Sequence, residues 1–276
     1  MTADSTTTAR LGRPAARRTP NGSMGHSARL SLRVKRLLVL VGVLAVWQIA
    51  GMFSLPLLLP TPWAVATALY DITFHGDLVP ALTSSMKLLA IGFGIAIVLG
   101  CTLGIVLGRY RLFDVTFGPY LNALYATPEI ALVPLILVWF GFGLGGRVVV
   151  VVIASFFPIF INTYAGVRDA PGNLVEVARS FGVATERGLL RRVVVPAALP
   201  FILAGLRLSI GRGVVGMAVA EVYLRLGGIG SLIVQYGSAF KTNYVLAAIL
   251  PLPVLSIVLT KILGMVERRL DGWRTT

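Results

Sequence analysis

The chain has 276 residues, of which 56% are hydrophobic and only 13% are charged, and its mean hydropathy is +0.84. A water-soluble domain of this length needs more charge to cover its surface, so the composition excludes an ordinary soluble protein and indicates a lipid bilayer. The net charge of +14 would suit a nucleic-acid-binding protein, but half of it lies in residues 1–36, which carry eight Arg or Lys against Asp4 alone.

Residues 1–36 form a basic tail without an apolar face, and this composition predicts a disordered segment. The positive-inside rule places the tail in the cytoplasm, where its charge orients the chain. Contact with anionic lipid or RNA is the alternative interpretation, although we expect no nucleic-acid partner. No A-x-A-like site follows the first apolar run, so a cleaved signal peptide is not predicted.

Six apolar runs follow the tail, each about long enough to cross a hydrocarbon core of roughly 30 Å as a helix. In hydrocarbon, every backbone polar group must be satisfied within its segment, so helices are predicted even for the β-branched stretches. The alternation of barrel strands is absent. The sequence therefore predicts an all-α polytopic membrane protein. The runs cover residues 37–53, 88–107, 117–140, 148–165, 200–223 and 245–266.

Basic residues between the runs fall mainly on one side of the membrane. With six spans, the C-terminus returns to the side of the basic tail, so both termini are predicted to be cytoplasmic. The outer segments hold Arg147, Arg225 and Lys241, with Lys87 at the head of the second run. The predicted cytoplasmic segments hold Arg109, Arg111, Arg168, Arg179, Arg187, Arg191, Arg192, Arg268, Arg269 and Arg274.

The second run contains Gly100, Gly104 and Gly108, which are spaced four apart and share one face of a helix. Small residues at this spacing let a second helix approach closely, so we interpret them as a packing face.

The third run contains Pro128 and Pro134, which interrupt its helical hydrogen bonds. Backbone groups freed at membrane depth often line a pathway. Tyr125, Pro128 and Glu129 are therefore candidate pathway residues.

No motif in the chain indicates catalysis or metal binding. GFGLGG at residues 141–146 fits a dinucleotide-binding pattern, but it lies between two apolar runs and is better explained as an outer turn. Cys101 is the single cysteine, and His26 and His75 have no plausible metal partner. The phosphate-binding G-x-x-x-x-G-K-[ST] segment is absent, so any ATP and Mg²⁺ must be bound by a partner.

A short amphipathic helix is predicted at about residues 173–181, in the loop after the fourth run. Asn173 is its expected N-cap, with Glu176 three residues later, and Gly182 is its expected stop. Its apolar stripe comprises Leu174, Val177, Ala178 and Phe181. A helix of about two turns is unstable alone, so it must dock either on lipid headgroups or on a protein.

Four ionisable side chains lie within the runs, namely Glu129, Arg207, Arg212 and Glu221. An unpaired charge at bilayer depth costs at least ~2.5 kcal/mol, so each must face a cavity or a partner. Arg207 and Arg212 either attract an anionic solute, or pair with Glu129 or Glu221, or reach the inner surface. Pairing or surface contact is the favoured interpretation for Arg207, whereas Arg212 remains a candidate pathway residue.

Residues 231–240, between the fifth and sixth runs, are moderately apolar but too short to cross the bilayer. They predict a re-entrant or outer-surface helix.

Several segments of the chain resemble a known transporter family. Glu176-Val-Ala178, Gly182 and the Val-Val-Val-Pro196 run resemble the EAA loop of permease subunits of binding-protein-dependent ABC importers, with one additional residue between Gly182 and that run. Further segments resemble the nitrate, sulfonate and taurine branch. They are TPEIALVPLILVWFGFG at 127–143, FFPIFINTYAGVRDAP at 156–171, PAALPFILAGLRLSIGR at 196–212 and AEVYLRLGGIGSLI at 220–233.

The resemblance implies the type I importer permease fold, in a domain covering residues 37–276 with a cytoplasmic coupling loop at about 168–198. It implies a second permease copy, two ATP-binding cassette subunits that bind ATP and Mg²⁺, and an extracytoplasmic solute-binding protein. The short helix would be the coupling helix seated on the ATPase. Its expected coupling residues are Glu176, Ala178 and Gly182 from the resemblance, and Arg179 and Phe181 from their charge and size.

The expected activity is ATP-driven import of a small solute such as an organosulfonate, taurine or a nitrate-like anion, with no enzymatic activity in this chain. A neutral or cationic vitamin precursor is the alternative solute. An ion-coupled secondary transporter, using Glu129 or Glu221, is the alternative mechanism. A membrane enzyme is less favoured, because no cluster of His, Cys or carboxylate groups has catalytic spacing.

Overall fold

The computed structural model describes residues 26–183 and 185–270, and all regular secondary structure within them is helical. A 3₁₀ segment, Glu129–Leu132, precedes α5, and a π-helical segment, Leu190–Val194, joins α8 to α9. The helices are α1 (His26–Phe53), α2 (Pro62–Phe74), α3 (Leu78–Arg109), α4 (Arg111–Ala126), α5 (Val133–Phe140), α6 (Leu144–Arg168), α7 (Gly172–Ser180), α8 (Glu186–Leu189), α9 (Val195–Leu224), α10 (Ile229–Ser238), α11 (Thr242–Ile249) and α12 (Pro251–Leu270).

Within the described residues, five helices are long and apolar enough to cross a membrane, and a bent pair makes up to six spans when it is counted as one. The structure thus agrees with the predicted number of about six. The second span is α3, which has 32 residues and begins ten residues before the predicted run, because a helix can continue through the polar residues around Lys87. The five uninterrupted spans are Val34–Phe53, Leu78–Arg109, Leu144–Arg168, Glu186–Leu224 and Thr242–Arg269.

The first helix extends further toward the N-terminus than predicted. Of the predicted tail, residues 1–25 lie outside the described part of the chain, whereas residues 26–36 are the first turns of α1. These turns contain no Gly or Pro and several good helix formers, so the helix continues beyond the apolar run. The apolar part of α1 exposes its side chains, as a membrane span does toward lipid or another helix. Residues up to Trp47 form one unit and residues from Gln48 a second.

The bend in the third span occurs where the prolines predicted an interruption. Thr127, which precedes Pro128, is extended with ψ 134°, and so α4 ends at Ala126. The chain resumes as the 3₁₀ segment and then α5, with Pro134 in its first turn. The two halves, Leu112–Ala126 and Glu129–Phe140, meet at 87°. This span therefore breaks at Pro128.

Helices α3, α6 and α9 form the centre of the second unit, with α6 packed against both of the others. A Cβ added to Gly100 would lie 2.9 Å from Ile159, and one added to Gly104 would lie 2.7 Å from Thr163. At Gly108 the nearest atom is the Tyr164 carbonyl oxygen, at 2.8 Å. The predicted glycine packing face is confirmed, and it lies against α6.

The segment between the fifth and sixth spans is the short helix α10, as predicted. It packs against α11, which contacts α2 near the start of α3, at the end of that helix opposite the arginine-rich loops. The Tyr244 hydroxyl donates to Asp71 at 2.9 Å, and the Tyr236 ring lies 5.1 Å from that of Tyr244. Burial raises the pKa of Tyr236, and the nearby Asp77 and Asp71 charges raise it further. These contacts tie α10 and α11 to α2.

Candidate functional site

Helix α7 is the predicted amphipathic helix, but its N-terminus differs from the prediction. It begins at Gly172, and its N-cap is Pro171, which has no side-chain acceptor. Asn173 lies inside the helix, and its side chain accepts from the Leu174 N–H at 3.0 Å. The predicted capping box is therefore wrong, because the extended backbone of Pro171 (ψ 120°) lets the N-cap lie two residues earlier.

The C-terminus of α7 confirms the predicted stop at Gly182. This glycine has φ +84°, a left-handed conformation that side chains with a Cβ adopt at a cost. Its N–H donates to the Arg179 carbonyl at 3.0 Å, and the Val183 N–H donates to the Ala178 carbonyl at 3.0 Å. These two bonds form a Schellman motif, which fixes where the helix ends.

The apolar stripe of α7 is largely uncovered. Leu174 is 47% exposed, Val177 51% and Phe181 85%, while Ala178 is half-buried. The charged residues Glu176 and Arg179 are also exposed. A nine-residue helix with a bare apolar stripe has little stability of its own, and the exposed stripe is available for contact with another surface.

An ionic cluster that the sequence analysis missed lies beside α7. Glu186, the first residue of α8, accepts hydrogen bonds from Arg109 at the end of α3, with a shortest distance of 2.8 Å. Its carboxylate also lies 3.6 Å from the Arg179 guanidinium of α7. The sequence contains only a weak indication of this cluster, because Glu186 is a single acid in an arginine-rich loop. The contact places the loops after α3 and α6 at the same end of the molecule, as the charge pattern predicts.

The π-helical segment Leu190–Val194 lies between Gly182 and Pro196, the part of the chain in which one residue more than the family pattern was counted. π-Helical hydrogen bonds join residues five apart rather than four, so such a turn holds one more residue.

The structure brings three of the four predicted pathway residues together at the bend between α4 and α5. The Arg212 guanidinium of α9 lies 3.8 Å from the Glu129 carboxylate and 5.5 Å from the centre of the Tyr125 ring. Pro128 supplies the break that places Tyr125 and Glu129 on either side of the bend. The Arg212 side chain is 45% exposed and that of Glu129 26% exposed, so the described part of the chain does not fully cover this pair.

Arg207 is paired, as favoured, but with a different partner. It forms an ion pair with Glu267 near the end of α12, instead of with Glu129 or Glu221. The sequence analysis did not weigh Glu267, because nothing local shows that the end of α12 lies beside α9.

Glu221 is fully buried and has a structural role at the N-terminus of α10. Its carboxylate accepts from the Ser85 hydroxyl at 2.8 Å and from the Gly230 N–H at 3.0 Å. The Ser85 hydroxyl oxygen in turn accepts from the Ile229 N–H at 2.9 Å. A Cβ at Gly228 would collide with the carboxylate, which explains the glycine there. The donors at a helix N-terminus suit an anion.

Among the residues that the structure describes, no three His, Cys, Asp or Glu side chains come together as a metal site needs. The two polar arrangements with functional potential are α7 with its Glu186 contacts, and the cluster of Arg212, Glu129 and Tyr125.

Residues 96–272 match the family described as the inner membrane component of binding-protein-dependent transport systems. The chain belongs to this family. The predicted resemblance is confirmed, including its sulfonate and taurine branch, and this permease is a multi-pass inner membrane protein.

Named relatives support that branch. The permease is 32% identical over 245 residues to the putative aliphatic sulfonates transport permease SsuC of Bacillus subtilis, covering 88% of each chain. It is 29% identical over 262 residues to the taurine transport permease TauC of Escherichia coli, covering 90% of this chain and 95% of the relative. It is also 31% identical over 233 residues to the formylaminopyrimidine transport permease ThiX of Halalkalibacterium halodurans, covering 84% and 92%.

Solved structures share its fold. An inward-facing form of the MetNI methionine ABC transporter matches with a TM-score of 0.59 at 19% identity, covering 70% of this permease and 95% of that chain. An amino acid ABC transporter solved with histidines matches with a TM-score of 0.57 at 19% identity, covering 73% and 97%. The type I importer permease fold is confirmed.

Proposed function

We propose that this permease forms the translocation pathway of an ATP-driven importer for a small organosulfonate or taurine-like anion. A second copy completes the pathway, two ATPase subunits bind ATP and Mg²⁺ on the cytoplasmic side, and an extracytoplasmic binding protein delivers the solute. The observation that carries the proposal is α7, a short helix with a bare apolar stripe on a membrane-embedded chain.

Helix α7 has the properties of a surface made to seat in a cleft. Its stripe ends in Phe181, which is 85% exposed, and the Schellman motif at Gly182 fixes the geometry of that end. Its polar side carries Glu176 and Arg179, so it presents both charge and apolar surface. Glu176, Ala178, Arg179, Phe181 and Gly182 are the residues that we assign to ATPase coupling.

Photo-crosslinking tests the docking of α7. In a chain with Cys101 replaced by Ser, a benzophenone maleimide is attached at Phe181→Cys, with Phe74→Cys as the matched control. Both phenylalanines are exposed, and Phe74 precedes the N-terminal end of α3, whose other end lies beside α7. We expect an adduct with the co-expressed ATPase from position 181 and none from position 74. No ATPase adduct from positions 174, 177 and 181 would overturn the proposal.

The cluster at the bend supports an anionic solute. Arg212 forms an ion pair with Glu129 at 3.8 Å, and its side chain is nearly half exposed in the middle of a span. A cation kept at this depth needs a function or a partner, and open guanidinium donors suit sulfonate oxygens. We assign Tyr125, Pro128, Glu129 and Arg212 to the pathway.

A neutral or cationic vitamin precursor is the second candidate solute, favoured by the 31% identity to the formylaminopyrimidine permease. Uptake by the reconstituted permease, ATPase and binding protein distinguishes the two. Labelled ethanesulfonate and taurine are compared with labelled formylaminopyrimidine, and we expect transport of the sulfonates. Transport of formylaminopyrimidine alone would favour the second candidate. Uptake that survives ATP depletion with the proton gradient intact would instead favour an ion-coupled transporter.

A further inference from the structure

Glu186 is the point at which three elements of the cytoplasmic end meet. Its carboxylate contacts Arg109 at the end of α3 and Arg179 on α7, and the residue itself starts the continuous helix Glu186–Leu224. We propose that Glu186 is a positioning residue that ties α7 to the cytoplasmic ends of two membrane spans. The tie passes the displacement of α7 to those spans. This inference rests on the proposed coupling function of α7.

The contact with Arg109 has a defined geometry. Arg109 Nε and Nη2 donate to the two Glu186 carboxylate oxygens at 3.1, 3.1 and 2.8 Å. A planar guanidinium held at two atoms fixes the orientation of the carboxylate as well as its distance. Arg109 is the last residue of α3, so the Glu186 carboxylate is held at a fixed position relative to that end of the helix.

The contact with Arg179 is looser. Arg179 Nη2 lies 3.6 Å from Glu186 Oε1, and the Arg179 side chain is 60% exposed. The contact of Glu186 with α3 is short and made through two guanidinium atoms, whereas its contact with α7 is longer. Glu186 is therefore held firmly at α3, and α7 is free to move relative to it. Asp114, on α4, is another acid near this end of α3, but its carboxylate contacts Tyr164 and Arg168.

Helix α8 holds Glu186 in place from its own side. Thr185 is the N-cap of α8, and its hydroxyl accepts from the Gly188 N–H at 3.2 Å. An acid in the first turn of a helix is favoured by the helix dipole. Because α8 runs on through the π segment into α9, a force on Glu186 acts on the start of a membrane span.

The link is expected to affect coupling rather than stability. Its side chains are partly exposed, and exposed ion pairs contribute little to folding. Residues along a coupling route change coupling when mutated, even without contacting either ligand.

The test uses the complete complex of permease, ATPase and binding protein in proteoliposomes, and measures solute imported per ATP hydrolysed. For Glu186→Gln we expect this ratio to fall by about fivefold, with the Phe181 crosslink to the ATPase retained. Glu267→Gln is the matched control, because Glu267 also forms an ion pair with an arginine, but that arginine is Arg207 of α9 and not a residue of α7. A ratio in Glu186→Gln equal to that of Glu267→Gln would overturn the inference.

Arg109→Gln and the double variant of Arg109 and Glu186 show whether the change in the import ratio depends on the contact between these two residues. If Glu186 acts through Arg109, each single variant lowers the ratio and the double variant lowers it no further. An unchanged ratio in Arg109→Gln overturns the inference even if the Glu186 variant fails to accumulate. Loss of both the crosslink and ATP hydrolysis in Glu186→Gln also overturns it, since that outcome indicates a purely structural role for Glu186. Failure of the proposed function is distinct, because the wild-type complex would then import no sulfonate.

Discussion

The Ser85 hydroxyl and the Glu221 carboxylate meet at 2.8 Å although 136 positions separate them in the chain. The contact joins α3 to α9 within the core, and both side chains are fully buried. Through it, the N-terminus of α10 is held against the two central spans, because Ile229 donates to Ser85 and Gly230 donates to Glu221. Glu221 was a candidate for ion coupling on its sequence position, but in the structure its carboxylate binds the N-terminus of α10.

Replacing Ser85 by Ala is expected to destabilise the protein. It leaves the Ile229 N–H without its acceptor and Glu221 with one donor fewer, at a cost of about 1–3 kcal/mol. The measurement is thermal unfolding in detergent, followed by the accessibility of Cys101 to a thiol reagent. Ser84→Ala is the control, since Ser84 is exposed. Equal unfolding temperatures for the two variants would show that the contact contributes nothing.

Gly104→Ala is expected to disturb the packing of α3 on α6. The added Cβ would lie 2.7 Å from Thr163, closer than side chains pack, and overpacking of this kind costs about 1–3 kcal/mol. Gly94→Ala on the same helix should be neutral or stabilising, because its added Cβ has no neighbour within 4 Å and alanine favours helix. Unfolding in SDS checks both variants. Parallel losses in the two would refute the packing interpretation.

Gly182→Ala is expected to weaken docking of the ATPase. Alanine at φ +84° costs about 1–2 kcal/mol, and α7 has little stability with which to absorb that loss. The measurement is the amount of ATPase that co-purifies with tagged permease. Gly172→Ala, at the first position of the same helix and without a positive φ, should retain the ATPase. Full retention by the Gly182 variant would mean that the end of α7 is not part of the dock.

Arg212→Gln is expected to lower sulfonate uptake by about tenfold or more, because a charged contact to the solute is lost. Arg207→Gln should keep most activity, because Arg207 is engaged in an ion pair with Glu267. The measurement is initial uptake in proteoliposomes at saturating binding protein. Similar uptake by both variants would remove Arg212 from the pathway.

The spans, the break at Pro128 and the stop at Gly182 could be predicted because each depends on nearby residues. A run of apolar residues must form a helix in lipid, proline restricts the residue before it, and glycine accepts a positive φ. The N-cap of α7 was predicted two residues late, since Asn173 is the better cap by type but Pro171 already has the extended backbone of an N-cap.

The ionic contacts could not be predicted in the same way. Arg207 pairs with Glu267, Glu186 with Arg109, and Glu221 with Ser85, and each pair joins elements far apart in the chain. The residue types showed that each charge needed a partner. They did not show which partner lay within reach.

The sequence by itself determined the membrane environment, the number of spans, the glycine face of α3 and the amphipathic helix α7, because these follow from residue type and spacing along one segment. The tertiary structure decided which charges neutralise one another, which acid fastens α10 and which arginine stays partly open at the bend. Those outcomes depend on the depth and rotation at which packed helices meet, and this is set by side-chain contacts across the whole bundle.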